Sequence, residues 1–129
     1  MAHQFVVQLA HKPGALAALC RELERQGVDL KAIGGGGIGE VGHVILKTAD
    51  DVKTRAVLEA GSYTFIESES VLAEVDDQPG GMLSVLDRLA AAGVNVYGHL
   101  FMGRWGERAT FAFVVDDPAK ARAALGQEY

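Results

Sequence analysis

The chain has 129 residues, 49% of them hydrophobic and 22% charged, with a formal net charge of −5. This is the composition of a folded chain, and it argues against a disordered segment and against general attraction to nucleic acid or anionic membrane. The charges are interspersed, as in Arg21-Glu22 and Glu24-Arg25, so no basic arm hides in the average.

No apolar run approaches the roughly 18 residues of a spanning helix, and no basic-then-apolar leader starts at Met1. The single Cys20 cannot make an intrachain disulfide, which fits a reducing compartment, so a cytoplasmic location is expected.

In chain order, Phe5 to Leu9 reads as a strand, stopped by Lys12-Pro13-Gly14. Leu16, Leu19, Cys20 and Leu23 then fall on one helical stripe that ends at Gly27, which places Cys20 in the core. Val28 to Ile33 and Val41 to Thr48 read as strands around a glycine-rich connection. Asp51 is placed to cap a helix over Val52 to Ala60, stopped at Gly61, and Thr64-Phe65-Ile66 is another strand. The second half retraces this order. Val71 to Val75 is a strand, and Met82, Val85, Leu86 and Leu89 repeat the helical stripe up to Gly93. Val94 to Met102 and Ala109 to Val115 are strands joined by a turn at Arg104-Trp105-Gly106-Glu107, and Pro118 opens a last helix.

The two halves are related by a period of 66 residues: Pro13-Gly14 recurs as Pro79-Gly80, Gly27-Val28-Asp29 as Gly93-Val94-Asn95, and Asp50-Asp51 as Asp116-Asp117. The matches fall at turns and helix ends, where backbone geometry restricts the residue. The expected fold is α+β, two ferredoxin-like βαββαβ modules in tandem over residues 1–68 and 69–129, the second lacking its last strand. Thr64 to Val75 carries the last strand of one module into the first of the next with almost no linker, which predicts rigid coupling. It also leaves the second sheet with an unpaired edge, a feature normally covered or paired, so a homodimer or larger assembly is expected.

The strand–Pro–Gly–helix turn is the best candidate for chemistry. The first amides of a helix lack intrahelical partners and carry partial positive charge, which suits a carboxylate or a phosphate, and Asp77 is placed to take an ammonium group. The same turn also serves simply to start a helix. Gly34-Gly35-Gly36-Gly37, with Gly39 and Gly42, lacks the Gly-Lys-Ser/Thr of a phosphate loop and reads as a flexible hairpin or a flap over a site. His3, His11, His43 and His99 lack metal-ligand spacing, so no metal or other cofactor is expected. The paired aspartates precede helices and read as caps. Phe101, Trp105, Phe111 and Phe113 could stack on bases, but without clustered Lys and Arg they fit a packed interface better.

Asp77-Gln78-Pro79-Gly80-Gly81-Met82 followed by Gly93-Val94-Asn95-Val96 resembles the ACT domain family, and His11-Lys12-Pro13-Gly14-Ala15-Leu16 with Gly27-Val28-Asp29-Leu30 is a second, altered copy. The resemblance covers nearly the whole chain and implies a small tandem ACT protein, regulatory and not an enzyme, binding an amino acid at interfaces between modules. It places ligand contacts at Asp77, Gly80, Gly81, Met82 and Asn95 in the second half. Their first-half counterparts are His11, Gly14, Ala15, Leu16 and Asp29, with His11 replacing the acidic motif residue. An alternative is a regulatory subunit that docks on an amino-acid biosynthetic enzyme of the acetolactate-synthase type. An acylphosphatase-like enzyme needs an Arg beside the first loop and an Asn for the attacking water, and His11-Lys12-Pro13-Gly14 offers neither.

Overall fold

Burial alternates along the first strand: Phe5 and Val7 are covered while Gln8 reaches solvent, the period-two pattern of a strand packed on one face. The computed structural model describes residues 3–127. Its elements run β1 (His3–Ala10), α1 (Ala15–Arg25), β2 (Leu30–Ile38), β3 (Val41–Thr48), α2 (Asp51–Ala60), β4 (Phe65–Glu69), β5 (Val71–Asp76), α3 (Gly81–Ala91), β6 (Val96–Trp105), β7 (Arg108–Val115) and α4 (Pro118–Ala124). The chain divides into two compact units at the Ser68–Glu69 junction.

The first unit carries a four-stranded sheet in the order β2-β3-β1-β4, with β3 antiparallel to both β1 and β2. This is the ferredoxin-like βαββαβ arrangement. Its core gathers Phe5 and Val7 of β1, Leu19 and Leu23 of α1, Val44 and Leu46 of β3 and Leu58 of α2, with Phe65 against Phe5 at 6.2 Å between ring centroids. Each such side chain contributes about 1.5–3 kcal/mol over its exposed state.

The second unit has a three-stranded sheet, β5-β7-β6, over a core that includes Val75, Val85, Leu89 and Phe113. It is the same fold without the strand that corresponds to β4. Among the described residues no strand lies on the outer side of β5, where Gln127 Nε2 donates to the Leu72 carbonyl at 2.6 Å.

The helix ends are built alike. After α1, Gly27 has φ +69° and the Val28 amide donates to the Leu23 carbonyl; after α3, Gly93 has φ +74° and the Val94 amide donates to the Leu89 carbonyl. This left-handed cap uses the valine as its buried hydrophobic plug. Val28 and Val94 therefore belong to the caps, and the strands assigned to them begin two residues later. After α2 the left-handed residue is Ser62 (φ +56°), one past the expected Gly61.

The paired aspartates do cap helices, with one change from expectation. Asp50, not Asp51, accepts the Lys53 amide at 2.9 Å, because Asp51 already belongs to the helix and accepts the His3 amide at 3.2 Å. In the second unit the cap is Asp117, while Asp116 accepts the Asn95 amide at 3.0 Å.

Three further expectations are revised. The glycine run is not a flap: Gly34 to Gly37 lie within β2, in register with β3, and only Gly39-Glu40 turn the chain. The second hairpin likewise turns on Gly106-Glu107 alone, since Trp105 pairs with Arg108. Both glycines have positive φ (+64° and +60°) where a two-residue type II′ turn requires it. Cys20 is only half-buried, because the packed edge of α1 runs along Leu19 and Leu23.

Candidate functional site

The end of β1, the start of α1 and the glycine-rich part of β2 enclose a cavity of about 380 Å³ in the first unit. Leu9, Leu16, Ile33 and Val44 supply apolar walls, Ala10, Ala15, glycine backbone and the His43 backbone complete them, and His11 and Lys12 supply the polar side chains. The size falls in the ordinary range for small-molecule sites, roughly 300–1,000 Å³.

The cavity exists because β2 lacks side chains where its counterpart has them. Gly35 pairs with Val44 on β3. In the second unit the equivalent pair is Phe101 with Phe111, whose rings meet edge-on at 5.6 Å between centroids. A benzyl group fills in one unit the space that stays open in the other. Gly35 also has φ +149°, and a Cβ there would fall 2.1 Å from the His43 carbonyl oxygen, so no larger residue fits without moving backbone.

Gly37 sets the position of His11. A Cβ on Gly37 would lie 2.7–2.9 Å from the imidazole ring, so the ring packs directly on strand backbone. The His11 amide donates to the Glu40 carbonyl at 2.9 Å, and His11 Nδ1 is 3.0 Å from the Gly39 carbonyl oxygen. A carbonyl only accepts, so Nδ1 carries the proton of that bond and Nε2 is the nitrogen left for other partners.

The expected site residues divide. His11, Ala15 and Leu16 line the cavity, with Leu16 44% exposed at its rim. Gly14 is the N-cap of α1, at φ +88° and with no side-chain cap bond. Asp29 lies at the other end of the sheet, level with Thr48 rather than with Val41, and binds Lys31 Nζ at 2.6 Å. Within one unit it is about 25 Å from His11, counting strand rise along β1.

The second unit repeats that separation. Asn95 precedes β6 and exchanges backbone and side-chain bonds with Asp116, whereas Asp77 stands at the opposite end of the sheet. Asp77 Oδ2 accepts from Arg104 Nε at 2.6 Å, and the Arg104 guanidinium lies 5.2 Å from the Phe101 ring centroid. Arg104 occupies the register position of Gly37, so an ion pair stands here where an imidazole lies on bare backbone in the first unit. Gly80 caps α3 at φ +87°, and Met82 packs against the core. Gly81 has a packing role: a Cβ there would fall 1.9 Å from the Asp76 carbonyl oxygen.

Phe101, Phe111 and Phe113 form a run of ring contacts that leads into the core, with Trp105 outside it. Phe113 is buried, Phe111 packs on the core, Phe101 is half-exposed and Trp105, at the hairpin tip, is 90% exposed. Among the described residues no group of three or more His, Cys, Asp or Glu could hold a metal ion, and no helix is long and apolar enough to cross a membrane. Among the described residues the one large carboxyl perturbation lies away from the cavity. Arg55 hydrogen bonds, opposed in part by desolvation and aided by His3, pull Glu67 down to about 2.

No protein-family model matches the chain, and no curated protein matches it. Solved structures do. Protein BT0572 of Bacteroides thetaiotaomicron superposes with a TM-score of 0.74 at 20% identity, over 97% of this chain and 86% of that one. The regulatory subunit of aspartate kinase from Thermus thermophilus gives 0.67 at 16% identity, covering 97% and 89%. Its counterpart from Thermus flavus gives 0.68 at 14%, covering 98% and 92%. The shared architecture is the ACT-like ferredoxin fold. At these identities the likeness is one of fold, and within it the first ferredoxin-like unit carries the cavity.

Proposed function

We propose that this chain is a non-enzymatic regulatory protein that binds a small carboxylate-bearing metabolite of the amino-acid class in the cavity beside His11. The observation that carries this reading is the cavity itself: apolar walls of branched side chains, with His11 and Lys12 at one end beside the start of α1. A ligand with one carboxylate and one short apolar group matches that division. The neighbours named as regulatory subunits of aspartate kinase support regulation over catalysis. The output is linkage: the ligand favours one state of a homodimer or larger assembly by its differential affinity for the two.

Thermal melting and calorimetry of the whole chain, with the proteinogenic amino acids and their α-keto acids, test this. A ligand at about 100 times its Kd stabilises by about 2.7 kcal/mol, and Leu16→Asp at the cavity rim should abolish that gain without unfolding the protein. Silence across the panel at millimolar ligand removes the reading.

Docking on an amino-acid biosynthetic enzyme, of the acetolactate-synthase type or another, is a second reading. It is favoured by two large apolar side chains held in solvent at hairpin ends, Ile38 (92% exposed) and Trp105. Co-purification of such an enzyme with the wild-type chain, lost on Ile38→Ser or Trp105→Ser, supports it; recovery of no enzyme removes it.

A further inference from the structure

We infer that the cavity of the first unit selects a branched carboxylate that carries no ammonium group, an α-keto acid, over the amino acid of the same skeleton. The inference rests on the reading of the cavity as a ligand site and specifies what that site takes.

The polar side chains of the residues that line the cavity's helix-facing side are basic, His11 and Lys12, and His43 reaches it through its backbone. Among the described residues that line it there is no Asp or Glu. An ammonium group leaving water needs acceptors for three N–H bonds, and a carboxylate normally supplies them. His11 offers at most Nε2, because Nδ1 is committed to the Gly39 carbonyl oxygen at 3.0 Å. Among the lining side chains that nitrogen satisfies one of those three bonds, and the Lys12 charge repels the group as a whole.

The second unit shows what the slot holds when it is acidic. The residue at the place of His11 in the repeat is Asp77, whose carboxylate is tied to Arg104 at 2.6 Å. Where an acid is present the opposite strand supplies its counter-ion and a phenyl ring closes the space; where the space is open, the acid is replaced by imidazole. The open site is thus the basic one. A carboxylate beside Lys12 gains a charge-assisted bond from its ammonium group, and an uncharged ketone costs less to leave unpaired there than a ligand ammonium does. The branched walls at Leu9, Ile33 and Val44 suit a short branched chain.

The test is calorimetry of the full chain at neutral pH with two matched pairs, α-ketoisocaproate against L-leucine and α-ketoisovalerate against L-valine. The keto acid should bind about tenfold tighter or more in each pair, the cost of an unpaired ammonium. Lys12→Gln, at an exposed position that leaves the fold intact, should weaken the keto acid about tenfold and leave the melting temperature of the free protein unchanged. Amino acids binding as well as or better than the keto acids overturn this inference while leaving the ligand site standing. Keto-acid binding indifferent to both Lys12→Gln and His11→Ala also overturns it, because the ligand then sits elsewhere. Binding of neither member of either pair, nor of any amino acid, overturns the site reading itself.

Discussion

Glu67→Gln probes the ion-pair network that ties α2, β4 and the start of β1 together. Glu67 on β4 receives Nε and Nη2 of Arg55 from α2 at 2.6 and 2.5 Å, and His3 Nδ1 of β1 at 2.6 Å. The bidentate guanidinium holds the carboxyl at about 2, against an ordinary 4.5. Converted at about 1.4 kcal/mol per pH unit, that depression would be worth about 3 kcal/mol. Arg55 is 38% exposed, so water screens the pair and about 1–2 kcal/mol is the better figure. The folded-state value is depressed, so the contribution is complete above about pH 4.5 and is lost as pH falls toward about 2. Urea unfolding of wild type and Glu67→Gln should differ by about 1–2 kcal/mol at neutral pH, with the gap closing across that window. A gap below about 0.3 kcal/mol at neutral pH, or one that persists at the acid end, refutes the reasoning.

Three other substitutions follow from the packing. Gly37→Ala should push the His11 ring off the Gly39 carbonyl and weaken ligand binding about tenfold, with stability changed by less than about 1 kcal/mol. Gly36→Ala, whose Cβ meets nothing within 4 Å, is its control, and calorimetry with a melting curve reads both. Gly81→Ala places a methyl 1.9 Å from the Asp76 carbonyl oxygen and should cost the second unit about 2 kcal/mol or more, read by amide exchange on α3. Gln4 is fully buried with both amide atoms unpaired, so Gln4→Met should raise stability by about 1–2 kcal/mol in urea; an unchanged or lower midpoint counts against the assignment.

The 66-residue period, the helical stripes and the Pro-Gly and Gly-Val signals were enough to read the βαββαβ order of the elements, because each is a local constraint on backbone geometry. Leu19, Leu23, Val85 and Leu89 sit where the stripes put them. The glycine run misled because glycine is read as a turn signal. In β2 the run pairs along its length with β3, and the residues are small to leave room rather than to bend. One signal for the cavity was present in the sequence: Gly35 aligns with Phe101, but only the cross-strand pairs with Val44 and Phe111 show that the two positions face the same space.

The sequence by itself determined the repeat, the order of elements and the helix caps, all set by neighbours close along the chain. The tertiary structure alone decided where a ligand could sit. It separated Asp29 from His11 and Asn95 from Asp77 by the length of a sheet, since a crossover helix returns the next parallel strand to the opposite end. It bound Asp77 to Arg104 and left His11 against bare glycine, pairings between residues some 27 positions apart that no local pattern encodes.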